Sequence, residues 1–141
     1  MSFFKEAKPT RNGIPYNIFC HLQTINRPGL VYGAHYHNYI EMLYGIEGTF
    51  EVHINNKTYQ FKTGDLVLIN PQEVHQIDGI SEKGGKYYVI RFEPEIIYTL
   101  SQNVFEMKYY LPFTLNNYNH QKVFKNDIIQ STDIPEVLKE I

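Results

Sequence analysis

Between Tyr16 and Phe92 the chain is cut into short runs of β-forming residues by turn signals at nearly regular intervals, which describes a sandwich or small barrel and not a parallel α/β sheet. The run Tyr16 to Ile25 is followed by a turn at Arg27-Pro28-Gly29. Phe50, Val52 and Ile54 alternate with Glu51 and His53, and Tyr59 and Phe61 alternate on the return. Asn55-Asn56 lies between them, and asparagine tolerates positive φ, so a β-hairpin is expected here. Thr63-Gly64-Asp65 is the next turn, Leu66 to Ile69 a further strand, and Asn70-Pro71 stops it before His75-Gln76-Ile77. Gly84-Gly85 leads into a last strand from Lys86 to Phe92. Before this series, residues 1–13 read as a loose arm closed by Pro9 and Asn12-Gly13. After Glu93-Pro94 the period changes: Ile96, Ile97, Leu100 and Val104 recur at helical spacing, and a second helix is expected around residues 122–130. A third begins near Asp133 and carries an apolar stripe of Ile134, Val137, Leu138 and Ile141. That stripe ends the chain without a stop signal, as in a helix that continues into a further domain, although natural chains also end this way.

The segment Gly29 to Gly48 concentrates chemistry. It reads G-x5-H-x-H-x3-E-x6-G, and in one extended strand His35, His37, Tyr39 and Glu41 would project to the same face. Two imidazoles and a carboxylate on one face suit a first-row transition metal, and they suit hydrogen bonding to a polar small molecule equally. On the opposite parity Tyr36, Ile40, Met42 and Tyr44 form an apolar row expected to face outward and to need a cover.

Composition removes several function classes. With 13 basic and 15 acidic residues and no basic cluster, the chain lacks the electrostatic footprint of a nucleic-acid binder. No apolar run approaches the length of a membrane span, no signal-peptide core opens the chain, and a cytoplasmic location is expected. The single cysteine, Cys20, rules out an internal disulfide and is expected to be a buried, inert thiol. Twelve tyrosines and nine phenylalanines without tryptophan favour Tyr-lined pockets or interfaces.

Gly29, His35, His37, Glu41 and Gly48 match the first motif of the cupin superfamily at every position. The second, G-x5-P-x-G-x2-H-x3-N, is met at Gly64 and His75, whereas Asn70, Gln72 and Gly79 depart from it and Pro71 is displaced by one. The stretch from Ile40 to Ile77 resembles the sensor domain of AraC-type transcription regulators. The resemblance implies a mainly β fold, a cupin double-stranded β-helix or jelly-roll barrel over residues 14–93, followed by C-terminal α-helices over residues 94–141 that mediate homodimerisation. It also implies that DNA is contacted only through a separate helix-turn-helix domain, to which nothing in this sequence corresponds.

The expected pocket consists of His35, His37, Tyr39, Glu41 and His75, with His35, His37, Glu41 and His75 as the candidate ligand set for Zn, Ni, Mn or Fe. Two readings of that set compete. In one it lines a sensor pocket for a small-molecule effector, a use the regulator resemblance favours and one that often needs no metal. In the other it is the metal centre of a small cupin enzyme of the dioxygenase, isomerase or decarboxylase class. A glutamate buried beside three histidines calls for a compensating cation, proton or imidazolium. No additional acid or base is assigned to the inward positions, which favours the sensor. Sugars suit the tyrosines and polar groups, and small acids or aromatics stay open. Tyr39 is expected to fill the barrel as much as to touch a ligand, His53 to be a solvated strand residue, and His21 and His120 to have no role.

Overall fold

The computed structural model describes residues 3–7, 10–11, 14–15, 18–95 and 121–139. Among the described residues twelve strands appear in chain order: β1 Phe4–Lys5, β2 Thr10–Arg11, β3 Ile14–Pro15, β4 Ile18–Ile25, β5 Gly29–Tyr36, β6 Ile40–Glu47, β7 Thr49–Ile54, β8 Lys57–Lys62, β9 Leu66–Ile69, β10 His75–Gly79, β11 Gly85–Phe92 and β12 Val123–Phe124. Two five-stranded sheets result, ordered β1-β5-β10-β7-β8 and β12-β9-β6-β11-β4, with β2 and β3 forming a separate pair. Every pairing among these is antiparallel except β1 on β5.

The alternation expected along the strands is what closes the core. On β7, Phe50, Val52 and Ile54 are buried while Glu51 and His53 are partly exposed, and Phe61 on β8 and Ile77 on β10 extend the same inner face. Leu43 on β6, Val67 and Ile69 on β9, and Tyr87 and Val89 on β11 supply the facing layer. Phe50 and Phe61 stack with ring centroids 5.2 Å apart, and Tyr87 meets them edge-on at 4.9 and 5.6 Å. The β7–β8 turn has Asn55 at φ 47° and Asn56 at φ 70°, the left-handed pair a two-residue hairpin needs.

Gly48 ends the first motif for a steric reason. Its φ is +81°, and a Cβ there would lie 2.4 Å from the Gly84 carbonyl oxygen. Gly48→Ala is therefore expected to destabilise the fold by about 1–3 kcal/mol in urea denaturation. Gly33→Ala, where a Cβ meets nothing within 4 Å, is the control and is expected to change little.

Several expectations are corrected. The motif is not one strand: β5 ends at Tyr36, residues 37–39 bend, and β6 begins at Ile40 in the opposite sheet. Because the bend leads inward, Ile40 is fully buried rather than part of an outward row, while Tyr36, Met42 and Tyr44 are partly exposed. Cys20 lies exposed on β4, which has only β11 as neighbour among the described residues. In the tail, Val123–Phe124 is a strand on β9, so the helix expected around residues 122–130 shrinks to α1, Asn126–Ile129. The Asp65 carboxylate accepts from the Asn126 amide at 2.8 Å and caps α1 from another part of the chain. Helix α2, Ile134–Lys139, starts where Asp133 suggested, with Leu138 buried and Val137 exposed. Ile96, Ile97, Leu100, Val104 and His120 lie outside the described residues.

The connection between β9 and β10 ties the tail to one site histidine. Gln72 takes φ 66° where the cupin motif has glycine, and its amide donates to the His37 carbonyl at 2.8 Å. Glu73 is buried, and its carboxylate accepts from the Asn70 amide at 2.8 Å, Asn55 Nδ2 at 3.0 Å and Lys122 Nζ at 2.7 Å.

Candidate functional site

The bend at residues 37–39 and the start of β10 bring the motif histidines to one place. His35 comes from the end of β5, His37 from the bend and His75 from the first position of β10, opposite His35 in register. All three are at least 98 % buried, and their ring centroids are 4.1 to 5.6 Å apart. One nitrogen from each ring can be chosen so that all three lie within 4.8 Å of one another.

Backbone carbonyls set the tautomers of two of these rings. His35 Nδ1 lies 2.7 Å from the Gly33 carbonyl and His75 Nδ1 2.8 Å from the Glu73 carbonyl. A carbonyl can only accept, so both Nδ1 atoms donate, and the neutral His35 ring presents a bare Nε2 lone pair while His75 Nε2 faces the Glu41 carboxylate. Neither Nε2 has an aligned hydrogen-bond partner, nor does either nitrogen of His37. Buried polar atoms left this way are costly unless something occupies the space before them. Neutral imidazoles oriented by carbonyls are also what a transition metal takes as ligands. The three histidines therefore fit a metal ion by donor type and spacing.

Glu41 stands beside this group with a different engagement. Its Oε1 accepts from Arg91 Nε at 2.5 Å, while Oε2 lies 3.0 Å from His75 Nε2 and 3.7 Å from His37 Nε2 without an aligned hydrogen bond. Burial pushes its carboxyl up, but His37, His75 and Arg91 outweigh burial and hold it well below the usual carboxylate range. The compensating cation that a buried glutamate demands is thus a residue of the chain itself.

Arg91 was not singled out in the sequence, although it shares the inward parity of Tyr87 and Val89 on β11. Burial opposes its charge, and Glu41 and Glu6 restore and strengthen it. Glu6 was hidden further still, in the arm expected to be loose. Residues 4–5 pair with β5, and the Glu6 carboxylate accepts from Arg91 Nη1 at 3.0 and 2.9 Å and from the Tyr32 hydroxyl at 2.7 Å. Burial raises the Glu6 carboxyl, yet Tyr32 and Arg91 leave it below its ordinary value. Burial and the bond to Glu6 push the Tyr32 phenol up to about 12, so it stays a donor.

A cavity of about 100 Å³ lies among Glu6, Tyr32, His35, Glu41, Tyr87 and Arg91, with His21 and Gln23 in its wall. Tyr39 is buried, edge-on to His37 at 6.0 Å and to Phe19 at 5.4 Å, and does not line this cavity. His53 stands apart on the outer face of its sheet, between Thr58 Oγ1 at 2.8 Å and Asp78 Oδ2 at 2.9 Å. A wider groove of about 620 Å³ runs from Phe3 and Ala34 to this hairpin and also touches His75.

Burial, followed by the charge of His75, lowers His35 to about 4, against about 6.5 in an unfolded chain. Below pH 6.5 the unfolded chain takes up a proton that the folded one refuses, so this group's contribution to stability falls as pH drops from 6.5 toward 4. The folded carboxyls of Glu6 and Glu41 are lowered, so their contribution is lost only below about pH 4.5, leaving the higher window to histidine. Urea denaturation of chelator-treated protein between pH 6.5 and 5 is expected to show declining stability, with a shallower decline in His35→Gln.

The barrel is of cupin type, and similar solved structures share it. The Cnp3 cupin domain of Schizosaccharomyces pombe is 11% identical with a TM-score of 0.54, over 68% of this chain and 69% of that one. A Cupin 2 conserved barrel domain protein from Salinispora arenicola is 15% identical with a TM-score of 0.52, over 67% and 78%. A variant of oxalate decarboxylase from Bacillus subtilis is 16% identical with a TM-score of 0.50, over 78% of this chain but 34% of that one. These likenesses concern the fold alone. No curated protein matches the sequence. The model of the AraC-like ligand binding domain matches residues 21–136, across both sheets and into the C-terminal helices, and the chain belongs to that family.

Proposed function

We propose that this chain is the effector-sensing and dimerisation domain of an AraC-type transcription regulator, with a small molecule bound in the cupin barrel. The observation that carries the reading is the buried set of unpartnered polar atoms on His35, His37, Glu41 and His75, next to a cavity in a barrel of the ligand-binding family. A closed structural barrel would fill this volume with apolar side chains. Occupancy acts by population shift: the effector favours one packing of the arm or the helical segment over another. Residues 94–141 provide the homodimer contact, DNA is reached through a separate helix-turn-helix domain, and the protein works in the cytoplasm.

The histidine spacing supports one alternative, a small metal-dependent cupin enzyme of the dioxygenase, isomerase or decarboxylase class. His35, His37 and His75 would hold Zn, Ni, Mn or Fe, with Glu41 Oε2 nearest as a fourth ligand; the ion would supply Lewis acidity to a coordinated oxygen.

The test is thermal unfolding of metal-free protein against panels of sugars, small acids and aromatic compounds. At a hundredfold excess over Kd a true effector stabilises by about 2.7 kcal/mol, and His37→Ala is expected to lose that rise. No stabilisation from any panel would sink the sensor reading. Elemental analysis of wild type and His37→Ala, purified without added metal, decides the alternative: stoichiometric metal that the variant loses favours it.

A further inference from the structure

The N-terminal arm puts a carboxylate into the barrel, and the groups that receive it are those that would receive a carboxylate ligand. Arg91 Nη1 meets both Glu6 oxygens, the Tyr32 hydroxyl donates to Oε1, and His35 Nε2 is 4.0 Å from Oε2. Arg91 and Tyr32 belong to β11 and β5, whereas Glu6 arrives on a segment that shares only a two-residue parallel pairing with the barrel. A guanidinium and a phenol converging on one carboxylate is a recognition site in its own right, and the His35 ring only borders it.

We propose that Glu6 is a tethered stand-in for the effector, which is a small monocarboxylate that displaces Glu6 from Arg91 and Tyr32 and releases the arm. The inference rests on the reading of the barrel as an effector site.

Three observations support it. First, the arm is lightly held. Phe3 and Phe4 are 55% and 50% exposed, and among the described residues the arm's backbone adds to the pairing the Glu6 amide on the Tyr36 carbonyl at 2.8 Å. The arm's aromatic contacts among these residues are all to β5: Phe3 edge-on to Tyr36 at 6.0 Å, and Phe4 against Tyr32 at 6.3 Å and His35 at 5.6 Å. Second, the space is short. About 100 Å³ is well under the roughly 300–1,000 Å³ of small-molecule pockets, so a ligand of ordinary size requires a wall to leave. Glu6 walls this cavity and Phe3 walls the 620 Å³ groove, so withdrawal of the arm enlarges both. Third, the charge balance favours a monoanion. Arg91 already neutralises Glu41, and exchanging Glu6 for one carboxylate leaves the site's charge unchanged. A dianion would add an uncompensated charge beside Glu41, and a neutral sugar would forgo the charge-assisted hydrogen bonds that Arg91 Nη1 gives Glu6.

The decisive variant is Glu6→Gln, which keeps the shape of the side chain and removes the internal competitor. The probes are acetate, propionate and benzoate, each beside its neutral amide, and arabinose and glucose, titrated by calorimetry into wild type and variant. The expected result is that at least one carboxylate binds, about tenfold or more tightly to Glu6→Gln than to wild type, and that its amide does not. A self-inhibited site loses apparent affinity by the fraction of molecules that are closed, and the variant removes that loss. Tyr32→Phe is expected to weaken the same carboxylate severalfold. In wild type, saturating carboxylate is expected to speed hydrogen exchange at the Glu6 amide, whose bond to Tyr36 breaks as the arm leaves. Equal carboxylate affinity in wild type and Glu6→Gln, or an amide that binds as well as its acid, would overturn the proposal. If the sugars bind and the acids do not, the proposal fails and the effector site stands. If nothing binds either protein, both fail together.

Discussion

Arg91→Ala is expected to lower the thermal midpoint by roughly 10–20 °C, corresponding to about 3–5 kcal/mol for a buried ion pair that loses one partner. The size follows from what the substitution leaves behind. Arg91 is 7% exposed and is the shared cation of Glu41 and Glu6, whose side chains are 2% and 17% exposed. Removing it strands two carboxylates in a volume that already contains unpartnered imidazole nitrogens. The cost is therefore mostly that of leaving charges uncompensated, and that component can be separated. Arg91→Met combined with Glu41→Gln and Glu6→Gln removes cation and anions together, and is expected to recover at least half of the lost midpoint. Circular dichroism during heating measures all three proteins. A midpoint for Arg91→Ala within about 2 °C of wild type would show that the guanidinium does not carry the charge balance of the site.

Phe61→Ala is expected to cost about 3–5 kcal/mol, the range for deleting a buried phenylalanine ring. Phe61 has no exposed surface, and it stacks on Phe50 while meeting the edge of Tyr87. Because among the described residues β8 has only β7 as a strand neighbour, no strand on its far side fills the void. Phe61→Leu keeps most of the volume and is expected to lose about 1–2 kcal/mol. A double-mutant cycle with Phe50→Leu isolates the ring–ring coupling, expected at about 0.5–1.5 kcal/mol. Urea denaturation gives these values, and a coupling of zero would reduce the stacked pair to ordinary apolar burial.

How much of this was legible in the sequence depended on the range of the interactions concerned. The β7–β8 hairpin could be read because its causes are local: alternation fixes the faces, and two asparagines accept the positive φ of the turn. The histidines could be read because a motif brings them together, even though the single extended strand assumed for them is broken at residues 37–39. That error did no harm to His35 and Glu41, since the bend carries both inward from opposite sheets, but it misplaced Ile40. Arg91 carried a usable signal in its parity with Tyr87 and Val89, obscured because a lone basic residue near a strand end ordinarily points to water. Glu6 carried none. Its partner lies 85 residues away, and nothing in the arm's composition marks it as an inward segment. The strand Val123–Phe124 was equally invisible, because two residues become a strand only when β9 offers them a ladder.

Glu73 ties a site histidine to the tail, which β12 also anchors to the barrel through β9. Its carbonyl orients His75, and its carboxylate holds Lys122, the residue that leads into β12 and the short helices. A peptide plane and its own side chain cannot be repositioned independently by more than small torsions. Whatever displaces His75 therefore works against the anchorage of Lys122, and whatever rearranges residues 121–139 works against the orientation of His75. Thermodynamic linkage makes any such coupling free energy the same in both directions. A macromolecule that grips the tail would then count as a ligand of the barrel, tuning its affinity by the factor with which the barrel's own ligand tunes the grip.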